Sequence, residues 1–185
     1  MTLDLSAVDL LTESIGTERL LLRPFRPSDA DAVYRSSQDP ETQRWLGAIP
    51  VPYTRADARM FVEDTAPRER ADGTGLSVVV EADGELVGTA GLYLRPGRLG
   101  PEIGYSIAPW GRRRGYAAET AHALADWALG LGAPRVHLFT DVANAASQAV
   151  ARRAGFTAEG TVRSCLPYRD GSRGNAVLFG RVAGD

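Results

Sequence analysis

The chain has 185 residues, 44% of them hydrophobic, with 23 acidic and 21 basic side chains and a net charge of −2. That supports one domain with its own core, and the slight acidity argues against bulk attraction to nucleic acid. Every basic residue is arginine, which excludes a Walker-type phosphate loop and lysine Schiff-base chemistry, and one cysteine (Cys165) with two histidines (His122, His137) makes neither an internal disulfide nor a usual zinc set.

Residues 1–16 are expected to form an irregular N-terminal extension, with a short helix through Leu10 and Leu11, ahead of a single domain over 17–185. Asp4, Asp9 and Glu13 are unlike the basic flank of a secretion signal, and runs such as Leu20-Leu21-Leu22 are too short to span a bilayer, so a cytoplasmic location away from membranes is expected. Leu20, Leu22 and Phe25 begin the first strand. Ser28 is predicted to cap a helix, with Asp31 in the capping-box position, and Asp39-Pro40 to end or turn it. Thr54 caps a second helix with Asp57 in its first turn, Ala56, Met60 and Phe61 facing inward and Pro67 closing it. Strands at Leu76–Glu81 and Glu85–Leu94 flank an Asp83-Gly84 hairpin turn, and a Pro/Gly-rich turn over Arg95–Pro101 leads to a strand from Glu102.

The segment from Ile103 to Ala117 carries the most information. Ile103, Tyr105 and Ile107 alternate as in a half-buried strand. Gly111-Arg112-Arg113-Arg114-Gly115 is a turn, and Ala117, Ala121, Leu124, Ala128 and Leu131 form the stripe of an amphipathic helix. A strand, a glycine-bearing turn and a helix start leave backbone N–H groups aimed beyond the strand end, a ready site for a pyrophosphate. A strand at Arg135–Thr140 follows, then a helix capped by Asn144 and closed by Gly155. The last hairpin joins Phe156–Leu166 to Gly174–Val182 near Asp170-Gly171.

Arg112, Gly115 and Ala117 fill the pattern Arg/Gln-x-x-Gly-x-Gly/Ala, which resembles the acyl-coenzyme A signature of the GNAT N-acetyltransferases. The run Phe139–Phe156, with Asn144, Ser147 and the closing Gly155-Phe156, resembles the segment that follows in that superfamily. The opening Thr17–Phe25 and the tail Arg163–Gly171 with Val177-Leu178-Phe179 resemble its RimJ/RimL-type branch, so the likeness runs from about Thr17 to Val182. It implies an α+β fold in three α/β layers, with a mixed, mostly antiparallel sheet of about seven strands, splayed in the middle and flanked by about four helices.

The resemblance also implies a co-substrate, acetyl-coenzyme A, lying between the strand that ends at Ala108 and the one that ends at Thr140. Its pyrophosphate would meet amides from Arg112 to Ala117, Tyr116 included, with Arg112, Arg113 and Arg114 adding charge. Backbone groups of Ile107 and Ala108, and Asn144, would hold the pantetheine arm, and Ser147 would reach the sulfur. The acceptor would be a protein or peptide N-terminus or a small-molecule amine, and a homodimer is expected by analogy. Other readings are a different acyl donor, such as succinyl-coenzyme A, or a non-catalytic acyl-coenzyme A sensor.

An amine must be neutral to attack a thioester, and an α-amine is only about one-tenth neutral at pH 7, so a base helps. Glu102 is the first choice, since RimJ/RimL-like proteins often carry an acid there; the alternative is a charge at a strand end. Glu119 is second, or else only complements the helix start. For protonating the leaving thiolate Ser147 is chosen, with Tyr168 as the alternative. A covalent route through Cys165 lacks a histidine placed to activate it. Trp45, Tyr53, Phe61 and Tyr93 lie on segments that form the acceptor side in relatives; Trp45, Tyr53 and Tyr93 are taken as substrate-binding candidates, with core packing as the other reading. His122 and His137 are read as structural.

Overall fold

The run Val78-Val79-Val80 is fully buried. Successive strand side chains point to opposite faces, and Val78 and Val80 enter one hydrophobic cluster while Val79 enters another. An unbroken β-branched run is what a strand covered on both faces requires. Around it, in a computed structural model describing residues 3–94 and 97–185, the chain forms one eight-stranded sheet. The strands are β1 (Ile15–Gly16), β2 (Leu21–Arg23), β3 (Gly75–Ala82), β4 (Glu85–Tyr93), β5 (Glu102–Ile107), β6 (Arg135–Asp141), β7 (Thr157–Pro167) and β8 (Arg173–Val182), in the order β1-β2-β3-β4-β5-β6-β8-β7. This is the mixed, mostly antiparallel sheet expected, with β1 as an added edge.

Among the described residues six α-helices cover the sheet: α1 (Ala30–Ser37), α2 (Pro40–Trp45), α3 (Arg55–Met60), α4 (Ala66–Ala71), α5 (Tyr116–Gly130) and α6 (Ala145–Arg153). Ala121, Leu124, Ala125 and Ala128 of α5, with Ala151 of α6, pack on the Val78/Val80 face. Val33 of α1 and Ala58 of α3 pack on the Val79 face. Among the described residues no helix is long and apolar enough to cross a membrane.

All neighbouring strands run antiparallel except β5 and β6, which are parallel and paired at one position, Glu102 opposite His137. Beyond that point the strands part. The expected splay in the middle of the sheet therefore lies between β5 and β6, with the start of α5 at its open end.

α1 closes at Ser37, just before Asp39-Pro40, as expected, and the pair also starts a further helix: the Asp39 carboxylate accepts from the Thr42 amide at 2.8 Å, and Pro40 occupies the first turn of α2, where a missing N–H does no harm. Other local expectations need correction. The capping acid before α1 is Asp29, which accepts from the Arg26 amide at 2.7 Å, while Asp31 pairs with Arg35 and Arg55. Pro67 does not end the second helix. A π-helical turn over Phe61–Thr65 separates α3 from α4, so the proline falls in a first turn rather than in a helix interior. Phe61 packs half-buried against the core as expected, beside the fully inward Ala58 and Val62, whereas Met60 is 61% exposed and Ala56 is also exposed. Near the N-terminus Leu10 is buried and its carbonyl accepts from Arg70 at 2.5 Å; no helix forms through Leu10 and Leu11. Of the turn expected over Arg95–Pro101, Arg95 and Pro96 lie outside the described residues.

Candidate active site

A cleft of about 580 Å³ opens between α2, the end of β5, the loop 111–115, the start of α5 and α6. The loop has an unusual backbone. Arg113 has φ +66° and Gly115 φ +83°, and Arg112 and Arg114 have negative φ. Arg112 is extended, with ψ 160°, and the two left-handed residues after it fold the chain tightly ahead of the helix start. The first intrahelical bond of α5 is made by the Ala118 amide to the Gly115 carbonyl, at 3.1 Å. The amides of Tyr116 and Ala117 come before it and are the free donors of a helix start. Gly111 lets the loop lie against β4, since a Cβ there would stand 2.7 Å from the Val87 carbonyl oxygen.

The opposite wall is α6. Asn144 caps it, its Oδ1 accepting from the Ser147 amide at 2.9 Å, which leaves Nδ2 as a donor. Ser147 meets a residue from β5: its hydroxyl lies 3.0 Å from the Tyr105 hydroxyl, and its carbonyl is 3.2 Å from the same phenol. Burial raises the Tyr105 phenol above its ordinary range, against a smaller downward pull from the Ser147 bond.

A family model described as an acetyltransferase (GNAT) domain matches residues 19–157. The chain belongs to the GNAT acetyltransferase family. It is an N-acetyltransferase by that membership, hence an acyltransferase enzyme. The uncharacterized N-acetyltransferase YoaA of Bacillus subtilis strain 168 is 29% identical over 162 residues, covering 85% of this chain and 90% of its own. The microcin C7 self-immunity acetyltransferase MccE, solved with acetyl-CoA and AMP, shares the fold at a TM-score of 0.82 and 17% identity, over 98% of this chain and 99% of its own. RimJ of Mycobacterium smegmatis, solved with a CoA-disulfide, gives 0.81 at 24% identity over 93% and 88%. The fold is thus that of the RimJ/RimL-like GNAT acetyltransferases.

Of the residues singled out in the sequence, Trp45, Ile107, Arg112, Arg113, Gly115, Tyr116, Ala117, Asn144 and Ser147 line the cleft. Arg112 is nonetheless committed elsewhere: its guanidinium pairs with Asp39, donates to the Thr42 hydroxyl at 3.0 Å and to the Ile107 carbonyl at 3.2 Å. It ties α2 to the end of β5. Burial opposes the Asp39 charge, but the bonds from Arg112 and Thr42 outweigh it and hold that carboxyl below its usual range. Trp45 donates to Glu41 at 2.6 Å and stacks beneath Arg44.

Other candidates fall outside the cleft wall. Ala108 is fully buried, its amide donating to the Val87 carbonyl at 2.9 Å and its carbonyl accepting from Gly111 at 2.8 Å, so the expected backbone hold on a pantetheine arm does not extend to it. Arg114 presents its carbonyl to Arg19 on the far side of the loop. Tyr53 is only 6% exposed and packs with Val33, Ala58 and Val62, which is the core reading rather than a pocket. Tyr168 sits near the tip of the β7–β8 hairpin and its hydroxyl donates to Asp141. Glu102 and Tyr93 face each other across β4 and β5 at the narrow end of the splay. The Glu119 carboxylate is occupied by Thr17 and Arg19; burial opposes its charge, yet these bonds hold it below the usual carboxylate range, which unsuits it as a base. His137 is buried, which lowers its imidazole pKa, in line with a structural role.

Tyr105 was legible only as a strand residue, although a half-buried tyrosine needs a partner for its hydroxyl. Nothing local foretold that Ser147, 42 residues later, would be that partner. Arg153, in the last turn of α6, also lines the cleft and lacked any sequence signal.

Proposed function

We propose that the protein transfers the acetyl group of acetyl-coenzyme A to a primary amine, by direct attack in a ternary complex. The observation that carries this reading is the parting of β5 from β6 in front of a tightly turned loop and a helix start with free amides. A diphosphate suits that donor set, and Gly115 supplies the left-handed backbone, φ +83°, that the loop needs ahead of the helix start. The coenzyme supplies an activated thioester: the nitrogen forms a bond to the carbonyl carbon, the C–S bond breaks, and the sulfur takes a proton.

The chain's own residues divide the work. Amides from Arg113 to Ala117 hold the diphosphate, with charge from Arg113 and Arg153. Nδ2 of Asn144 donates to the pantetheine arm. The Ser147 hydroxyl protonates the departing sulfur and draws on the Tyr105 phenol. Glu102 takes the amine proton through water. Trp45 and Tyr93 shape the acceptor side. Ribosomal L7/L12 is the substrate named for RimL and for a Salmonella typhimurium acetyl transferase that share the fold, which supports a protein N-terminus as acceptor beside a small amine.

Calorimetry with acetyl-coenzyme A and thiol release over a panel of N-terminal peptides and small amines test this. At about a hundred times Kd the donor stabilises the fold by about 2.7 kcal/mol, a shift of several degrees in melting temperature. Absence of any shift with acyl-coenzyme A donors would overturn donor binding; binding without thiol release on any amine would overturn catalysis.

A further inference from the structure

We infer that Arg19, which lies outside the cleft, is a positioning residue for the donor's diphosphate, an inference that rests on the reading above. Arg19 stands in the turn between β1 and β2 and touches the loop from behind. Its Nη1 donates to the Arg114 carbonyl at 3.0 Å. Its Nε and Nη2 reach Glu119 Oε2 at 2.8 and 2.5 Å, and its own amide donates to Glu119 Oε1 at 3.2 Å. The guanidinium lies 5.2 Å from the centre of the Tyr116 ring. A Cβ on Gly115 would be 3.4 Å from Nη2. One side chain therefore contacts residues 114, 116 and 119 together and lies behind Gly115.

The loop needs such support. Arg113 holds a left-handed conformation that a side chain disfavours, and alternation of φ is kept only when the surroundings impose it. Arg19 pins the carbonyl between the two left-handed residues. Thr17 completes the brace, donating to Glu119 Oε1 at 2.6 Å. The Arg19 charge is balanced by Glu119, so its effect on an anion is through geometry and not through charge. A preset loop loses less freedom when the donor binds. The edge segment before the domain's central strands thus shapes a site formed by β5 and α5.

The test compares two donors in the full chain. Acetyl-coenzyme A carries the diphosphate; acetyl-pantetheine lacks it. Arg19→Ala is expected to raise Kd and KM for acetyl-coenzyme A about tenfold, the scale of losing hydrogen bonds from a charged group. kcat at saturating donor and turnover of acetyl-pantetheine should not change. Arg55→Ala, which breaks another exposed ion pair, should leave donor affinity alone. If Arg19→Ala fails to fold, Glu119→Gln carries the test, with donor affinity about threefold weaker expected. Wild-type affinity in the variant, or an equal loss with both donors, would overturn the inference. Failure of the wild-type chain to bind acetyl-coenzyme A would instead remove the reading on which it rests.

Discussion

The hydroxyls of Tyr105 and Ser147 lie 3.0 Å apart, one on β5 and the other on α6, across the cleft between two elements that do not pair. Both line that cleft. Ser147→Ala is expected to lower kcat about a hundredfold, the scale of a lost general acid, with donor Kd unchanged. Tyr105→Phe, acting through Ser147, should lower it about tenfold, and the double variant should be no slower than Ser147→Ala. Steady-state kinetics with calorimetric donor affinities decide this; wild-type kcat in Ser147→Ala would remove the proton-donor role.

Gly115 holds φ +83° in the loop that lines the cleft, and a Cβ there would point back toward Arg19. Gly115→Glu strains the left-handed backbone and sets an acid against the Arg19–Glu119 pair, which displaces the amides facing the diphosphate. Donor binding should vanish in calorimetry while the fold survives, as read by circular dichroism. Unchanged affinity would show that the diphosphate lies elsewhere.

Glu102 begins β5 where it meets His137 of β6, at the narrow end of the splay. If it serves as base, Glu102→Gln lowers turnover more than donor affinity, and the deficit shrinks as pH rises because more of the amine is already neutral. A pH-independent ratio of the two rates, or no deficit, rejects that role.

Arg23 and Asp29 form a buried ion pair at 2.8 Å, and Arg23 also reaches Glu81 at 2.6 Å. Burial opposes the Asp29 charge; the bonds from Arg23 and the Arg26 amide outweigh it, leaving the folded pKa below the unfolded value of 3.8. Its stabilisation is therefore present above that value and lost as pH falls through the folded one. Asp29→Asn should destabilise by about 3 kcal/mol at neutral pH, since it leaves a buried arginine short of a charged partner. Urea titrations should show the gap to wild type narrowing below about pH 4. A gap that widens on acidification would contradict the sign.

Local patterns told of most elements. The Asp83-Gly84 turn, with both residues at positive φ, the Thr54/Asp57 capping box, and the Asn144 and Gly155 ends of α6 all stand as their residues predict. Each depends on contacts within a few positions. Asp39-Pro40 carried the signature of a helix start and was legible too, but a proline after an acid also reads as a stop. Pro67 was not legible, because a π turn, not the residues near it alone, makes room for the ring.

What the sequence by itself determined is the succession of strands, turns and helix starts, and the loop whose glycine and free amides suit a diphosphate, because these follow from short-range backbone and side-chain preferences. Only the tertiary structure decided which side chains meet around the cleft. Arg112 turns to Asp39 across 73 residues, Tyr105 meets Ser147 across 42, and Arg19 braces Arg114 across 95. Those pairings arise from where the parted β5 and β6 set their flanking helices, and no local periodicity encodes that separation in space.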